Sequence, residues 1–233
     1  MAEERIAERV DANLFDVTID DLHAMPKQLY DNKMDKLKNK TLGQLIIKEY
    51  PTASAHSGHF RALLNELSLK KTFKPDVVFI DYLNICASSR FKGGNISSYF
   101  YIKAIAEELR GLAVEFDVPI FSATQTTRSG FVSTDIGLED TSESFGLPAT
   151  ADFMFAIMTN EELDQLGQFK VKQLKNRFGD PAVNRAFMIG VDRSKMRLFD
   201  VDASAQNIVD SNISAEPQET PEQAYEKFSD FKL

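Results

Sequence analysis

The sequence predicts an α/β fold: a parallel sheet flanked by helices, followed by antiparallel hairpin strands on its C-terminal side. Three observations carry this. Two short apolar runs, 76–83 and 120–123, have strand length and are separated by one long amphipathic segment, 99–116. Helical and strand-like apolar spacing alternate up to about residue 123. After Ser144, four strand-like segments follow one another with no clear helical stripe between them. Strands alternating with helices build parallel units, and strands joined by short turns build antiparallel ones.

Each element has a local reason. Residues 2–14 are good helix formers, with Asp11 and Asn13 only late in the run. Residues 20–40 are polar and helical, interrupted at Pro26. Residues 42–50 read as a strand centred on Leu45-Ile46-Ile47 and stopped by Pro51. In 57–69, Phe60, Leu63, Leu64 and Leu67 recur at helical spacing. The apolar run Val77-Val78-Phe79-Ile80 makes the next strand and ends in Asp81.

A polar loop, 88–98, leads to the clearest helix, 99–116. Tyr99, Ile102, Ile105, Leu109, Leu112 and Phe116 form its stripe, with Ser97 or Ser98 as cap. Asp117-Val118-Pro119 ends it, and 120–123 is a short buried strand. Residues 153–158, 169–177, 185–191 and 196–201 are the hairpin strands, with Asp192-Arg193-Ser194-Lys195 as the last turn. No internal repeat is present. Residues 203–233 lack periodicity, contain Pro217 and Pro221, and read as a disordered tail.

Composition narrows the function. At 233 residues and 43% hydrophobic, the chain supports one large domain plus a tail. No apolar run reaches membrane-span length, and the start is no signal peptide. The single Cys86 reads as a small buried hydrophobe of a reducing compartment. A net charge of -8 argues against a nonspecific basic coat for nucleic acid, though not against a local groove. Six acids and two lysines in 203–233 supply -4 of it.

In an open α/β sheet, ligands gather beyond the carboxyl ends of parallel strands. Asp81 and Gln125 stand there, one strand apart. A carboxylate holds Mg²⁺ through water, and an amide senses a terminal phosphate or orients water. Taken singly, each also fits an ordinary loop polar. Lys175 and Arg177 share one face of a strand, with Asn176 opposite. Two such cations suit a phosphate in a neighbouring subunit, although the spacing alone favours a solvated face. The loops 125–130 and 140–146, with Arg128, Ser129, Glu143, Ser144 and Gly146, are candidates to follow a single-stranded phosphate backbone. Arg90 and Lys92 are a weaker candidate. His56 and His59 have pair spacing for a metal, but no Cys or further His supports a zinc site. None of the eleven glycines is followed by Lys, so the phosphate-loop motif Gly-x-x-x-x-Gly-Lys-Ser/Thr is absent from this sequence.

Several segments then match one family together: Asp81-Tyr82-Leu83, residues 103–113, Ser144, the stretch Gly146-Leu147-Pro148-Ala149-Thr150-Ala151-Asp152-Phe153-Met154, and residues 173–179. Through roughly 1–202 the chain resembles the C-terminal motor domain of DnaB-type hexameric replicative helicases, those of T-even-like bacteriophages in particular. The resemblance implies a RecA-like core truncated at its N-terminus. It implies Asp81 as the Walker B carboxylate for Mg²⁺ and Gln125 as the contact to the terminal phosphate of ATP. Lys175 and Arg177 become the pair that reaches the adjacent subunit's nucleotide. The loops carrying Arg128, Ser129, Glu143, Ser144 and Gly146 become the lining of a channel for single-stranded DNA. Asp152 also falls on the family pattern, whereas Ser142 stands where many relatives have Arg.

The expected function is therefore that of the C-terminal part of an ATP-dependent replicative DNA helicase, a hexameric ring in the cytoplasm of an infected bacterium. Without a phosphate loop and catalytic glutamate, the isolated chain is expected to be inactive. A non-catalytic assembly piece is the alternative from another class. A RecA-type recombinase shares the fold, but the Lys-x-Arg strand and the Gly-Leu-Pro-Ala-Thr-Ala-Asp stretch speak against it. Tyr225, Phe228, Phe231 and Leu233 make the acidic tail a candidate docking segment for a primase or helicase loader.

Overall fold

A computed structural model describes residues 2–40, 43–91, 96–127, 136–141, 146–180 and 182–206. Helix α1 (Glu3–Phe15) begins with Glu3 and Glu4, which complement the positive end of the helix dipole. It ends at Asp16 in the left-handed conformation, φ 56°. Helix α2 (Ile19–Ala24) is capped by Thr18, whose hydroxyl accepts from the Asp21 amide at 3.0 Å. Pro26 separates it from α3 (Lys27–Lys40). Ala12, Phe15 and Leu22 are buried together, and Tyr30, Met34 and Leu37 pack on them. The Phe15 and Tyr30 rings meet edge to face at 5.4 Å.

The expected strand at 42–50 does not form over its described part, 43–50. Leu45 is 64% exposed, and the Glu49 amide donates to the Glu3 carboxylate at 2.9 Å instead of to a neighbouring strand. An apolar triplet makes a strand only where a sheet edge receives it. Here Glu3 ties the segment to α1.

Helix α4 (Ser57–Lys71) buries Leu64 and Leu67. The two histidines act as its cap. His56 Nδ1 accepts from the Gly58 amide at 3.0 Å, and the His56 amide donates to His59 Nδ1 at 3.3 Å. Helix α5 (Ser98–Phe116) is the spine of the main core. Its Ile102, Ile105, Ala106 and Leu109 pack with Leu83, Cys86 and Leu147. Ser97 takes the N-cap position, yet its hydroxyl makes no capping bond.

Strand β1 (Val78–Ile80) pairs in parallel with β2 (Ile120–Ser122), Ile80 opposite Ser122. Both are shorter than expected, and β1 stops where the chain turns at Asp81 into a 3₁₀ turn (Leu83–Ile85). The expected burial of β2 is also not met. Phe79 and Phe121 are 73% and 48% exposed and stack on each other at 5.3 Å. The sheet has α5 on one face, where Ile80 joins the core.

The hairpin strands form as expected: β3 (Phe153–Met158), β4 (Gln168–Asn176), β5 (Ala186–Asp192) and β6 (Arg197–Asp200), antiparallel and in sequence order. They make a sheet of their own, however. Among the described residues, no ladder joins β2 to β3. Short helix α6 (Gly146–Thr150) precedes β3, and α7 (Glu161–Gln165) lies in the β3–β4 connection. The tail is ordered for one turn longer than expected. α8 (Ala203–Gln206) docks on β5, where the Gln206 amide accepts from the Met188 N–H at 2.8 Å and donates to the Met188 carbonyl at 2.9 Å. The rest of the tail lies outside the described residues.

Candidate functional site

The parallel register places two candidate residues at one edge. Ile80 and Ser122 end their strands level with each other, and the Ser122 hydroxyl donates to the Ile80 carbonyl at 2.8 Å. Beyond them, the Leu83 amide donates to the Ala123 carbonyl at 3.2 Å, and the Thr124 hydroxyl donates to Asn84 Oδ1 at 2.8 Å. These bonds hold the two strand exits together. Asp81, one residue past β1, and Gln125, three past β2, emerge there, both exposed. The Asp81–Tyr82 peptide is cis. One exposed carboxylate can meet Mg²⁺ only through the ion's water shell and with substrate phosphates; among the described residues no cluster of three or more metal-ligating side chains stands here.

Lys175 and Arg177 do converge, on the stretch that runs from α6 into β3. Lys175 Nζ donates to the Pro148 carbonyl at 2.6 Å. Arg177 lies just past β4, and its guanidinium pairs with Asp152 at 2.9 Å. A third cation, Arg110 from α5, donates to the same Asp152 oxygen at 2.8 Å and to the Thr150 carbonyl at 2.6 Å. Two arginines therefore share one carboxylate, and the Lys175 ammonium stands near them on a carbonyl, so three cations face a single anion. Burial, then Arg177, push the Lys175 ammonium below its usual pKa, with Asp152 opposing and Arg110 adding to the shift. Such a cluster suits an anion.

Sequence reading had no role for Glu108, which the structure buries between α4 and α5. Its carboxylate accepts from the hydroxyls of Ser57 (2.8 Å), Ser88 (2.6 Å) and Ser89 (2.6 Å) and from the Ser89 amide (2.9 Å). Burial alone would raise its pKa, but these donors outweigh it and hold the group down at about 2. The clasp fixes the start of the loop that follows β1. No short-range pattern marked it, because its donors come from two distant segments. Arg110 was equally silent, although it stands within the family-like stretch 103–113.

Other expected residues separate. The Asp81–Gln125 edge and the Lys175–Arg177 cluster share no hydrogen bond or ion pair among the described residues. α5 packs against both β2 and α6. Arg128, Ser129, Glu143 and Ser144 lie outside the described residues. Gly146 is buried, and a Cβ there would stand 3.0 Å from Lys103 Cβ. Its observed part is thus the close approach of α6 to α5, not an outward-facing contact. A concavity lined by Lys172, Gln173, Asp180 and Arg185 lies on the hairpin sheet, away from Asp81. Its buried Lys172 ammonium already donates to the Ile136 carbonyl at 2.9 Å.

Comparison with known proteins bears on this geometry. The model of the DnaB-like helicase C-terminal domain family matches residues 1–214. The DnaB-like replicative helicase of Enterobacteria phage T4 is 42% identical over 227 residues, 96% of this chain and 48% of the relative. This chain thus spans about half of that relative's length. Among solved structures, a DnaB-like replicative helicase studied with its primase interactions superposes with a TM-score of 0.68 at 17% identity, covering 87% of this chain and 49% of that one. A second solved structure, an ATPase domain, gives 0.69 at 16% identity, covering 87% of this chain and 72% of that one. These likenesses show the fold, a RecA-like α/β core with hairpin strands.

Proposed function

This chain belongs to the DnaB-like helicase C-terminal domain family, and from that premise we propose that it is motor machinery of an ATP-driven replicative DNA helicase of a bacteriophage. In this reading ATP binds at the interface between copies of the motor in a hexameric ring. Asp81 holds Mg²⁺ through water, and Gln125 meets the terminal phosphate. Lys175 and Arg177 reach the nucleotide of the neighbouring subunit, where cations stabilise the charge spread over the transferring phosphoryl group. The ion supplies charge neutralisation at the phosphates when bound. The segments with Arg128, Ser129, Glu143 and Ser144 follow single-stranded DNA, and Gly146, at the end of the second, packs on α5 at Lys103. Primase and helicase loader are the proposed further partners, and the cytoplasm of the infected bacterium the proposed compartment. No described helix is long and apolar enough to cross a membrane.

The observation that carries the reading is the convergence of Lys175 and Arg177 on one corner where three cations face a single carboxylate. Arg177→Ala in the assembled helicase tests it. DNA-stimulated ATP hydrolysis is expected to fall nearly to background while nucleotide binding is kept. Normal turnover would remove the assignment in trans.

The exposed apolar surface favours a second reading, in which the chain works as an assembly piece. Parallel sheets are normally covered on both faces, yet Phe79 and Phe121 are open; on the separate antiparallel sheet, alternate β3 residues Phe153, Phe155 and Ile157 are 48%, 48% and 58% exposed. A polypeptide that carries the phosphate-loop motif is the proposed cover, and hydrolysis is proposed to need it. Mixing the chain with such a polypeptide decides the point. ATPase that appears only in the mixture supports a two-piece enzyme, and none supports a non-catalytic role.

A further inference from the structure

We propose that Asp152 is the positioning residue for Arg177, and that Arg110 holds Asp152 in that role. The inference rests on the proposed contact of Arg177 with a neighbouring phosphate. Arg177 is attached to Asp152 by main chain and side chain at once, its amide donating to the Asp152 carbonyl and its guanidinium pairing with the carboxylate, both at 2.9 Å. Left to itself, an arginine beyond the last pairing residue of a strand samples many rotamers, and ordering it for each encounter costs entropy. The carboxylate removes much of that freedom beforehand, which is how a supporting residue sharpens a functional one.

Arg110 makes the arrangement reversible. It grips both the Thr150 carbonyl and Asp152, so it fixes the turn into β3 and supplies the carboxylate with a second cation. When Arg177 exchanges Asp152 for a phosphate, the carboxylate keeps a partner and is not left uncompensated. The side chains of Arg110, Asp152 and Arg177 are 39%, 36% and 44% exposed. At that exposure an ion pair is weak enough to be exchanged. Lys175, anchored on the Pro148 carbonyl of the same segment, completes a cation pair held at two points of one short stretch.

Relaxation of the arginine Nε–Hε groups by ¹⁵N NMR on the full chain tests this directly, because a merely structural salt bridge need not govern Arg177 order. The Arg177 signal is expected to be ordered in the natural sequence and mobile in Asp152→Asn and in Arg110→Met. It stays ordered in Arg110→Lys, which keeps a donor to Asp152. In the assembled helicase, Asp152→Asn is expected to lower kcat about tenfold with KM for ATP unchanged, the pattern of an interaction made only in the transition state. Unchanged Arg177 order in both variants would overturn the inference, as would faster turnover in Asp152→Asn, which would make Asp152 a restraint on the arginine. Full activity in Arg177→Ala would instead overturn the phosphate contact beneath it. Loss in Arg177→Ala together with an unaffected Asp152→Asn would overturn only the positioning role.

Discussion

Arg177 follows a strand, but its position is set by Asp152, which precedes another. β3 and β4 pair from Phe153 opposite Asn176, and the Arg177 amide extends that pairing to the Asp152 carbonyl at 2.9 Å. The ladder thereby delivers a guanidinium and a carboxylate to the same corner. The rigidity of a sheet is lent to a long, mobile side chain, and α5 joins the corner through Arg110.

The Glu108 clasp predicts a specific acid response. Its folded pKa, about 2, lies below the ordinary glutamate value of 4.5. A depressed carboxylate stabilises the fold above its unfolded pKa, and that contribution is lost as pH falls from 4.5 towards 2. Glu108→Gln is therefore expected to cost on the order of 2 kcal/mol at about pH 7, allowing for solvent screening, and to flatten the stability profile between those pH values. Urea melts at neutral pH and at about pH 3 read both effects. An unchanged profile would mean that the serines do not hold the ionised form.

Gly190 faces Phe199 across the β5–β6 ladder, and a Cβ at 190 would run into the Phe199 ring. Gly190→Ala is expected to destabilise by about 1–2 kcal/mol through this overlap. Most of that cost should vanish in a Phe199→Ala background, because the ring is the obstacle. A double-mutant cycle by thermal melting measures the coupling, and additive effects would exclude the overlap as the cause.

Cys86 is 7% exposed, and burial pushes its thiol pKa up to about 11. Since the thiolate is the reactive form, labelling by a disulfide reagent at about pH 8 is expected to run roughly a hundredfold slower than for a free cysteine. Denaturant should restore the rate. Fast labelling of the folded chain would place Cys86 outside the core.

Phe79 and Phe121 predict an effect on association rather than folding. Replacing both with Ser removes exposed apolar area and is expected to leave the melting temperature within a few degrees. It should weaken capture of a phosphate-loop polypeptide at least about tenfold if that surface is the docking face. Calorimetric titration reads the binding. Unaltered affinity would move the docking surface elsewhere.

The elements that could be read from the sequence are those whose cause is local. The stripe Ile102, Ile105, Leu109 and Leu112 repeats at helical spacing and buries one face of α5 wherever the core lies. Apolar runs that stop at Asp81 and near Gln125 marked the strand exits, and alternation marked the hairpins. The strand expected at 42–50 failed for the complementary reason. Leu45-Ile46-Ile47 carries strand propensity, but pairing needs an edge, and Glu3 takes the Glu49 amide.

By itself, then, the sequence determined the long helix α5, the parallel strands and the hairpin strands, the residues that stand beyond the strand ends, and through its motifs the family. Only the tertiary structure decided which charges meet. Arg110 and Asp152 are 42 positions apart, and Glu108 finds Ser57 at a separation of 51. No periodicity reaches that far. Such pairs exist because helix packing and sheet register bring remote segments within hydrogen-bond distance, and that proximity belongs to the folded chain as a whole.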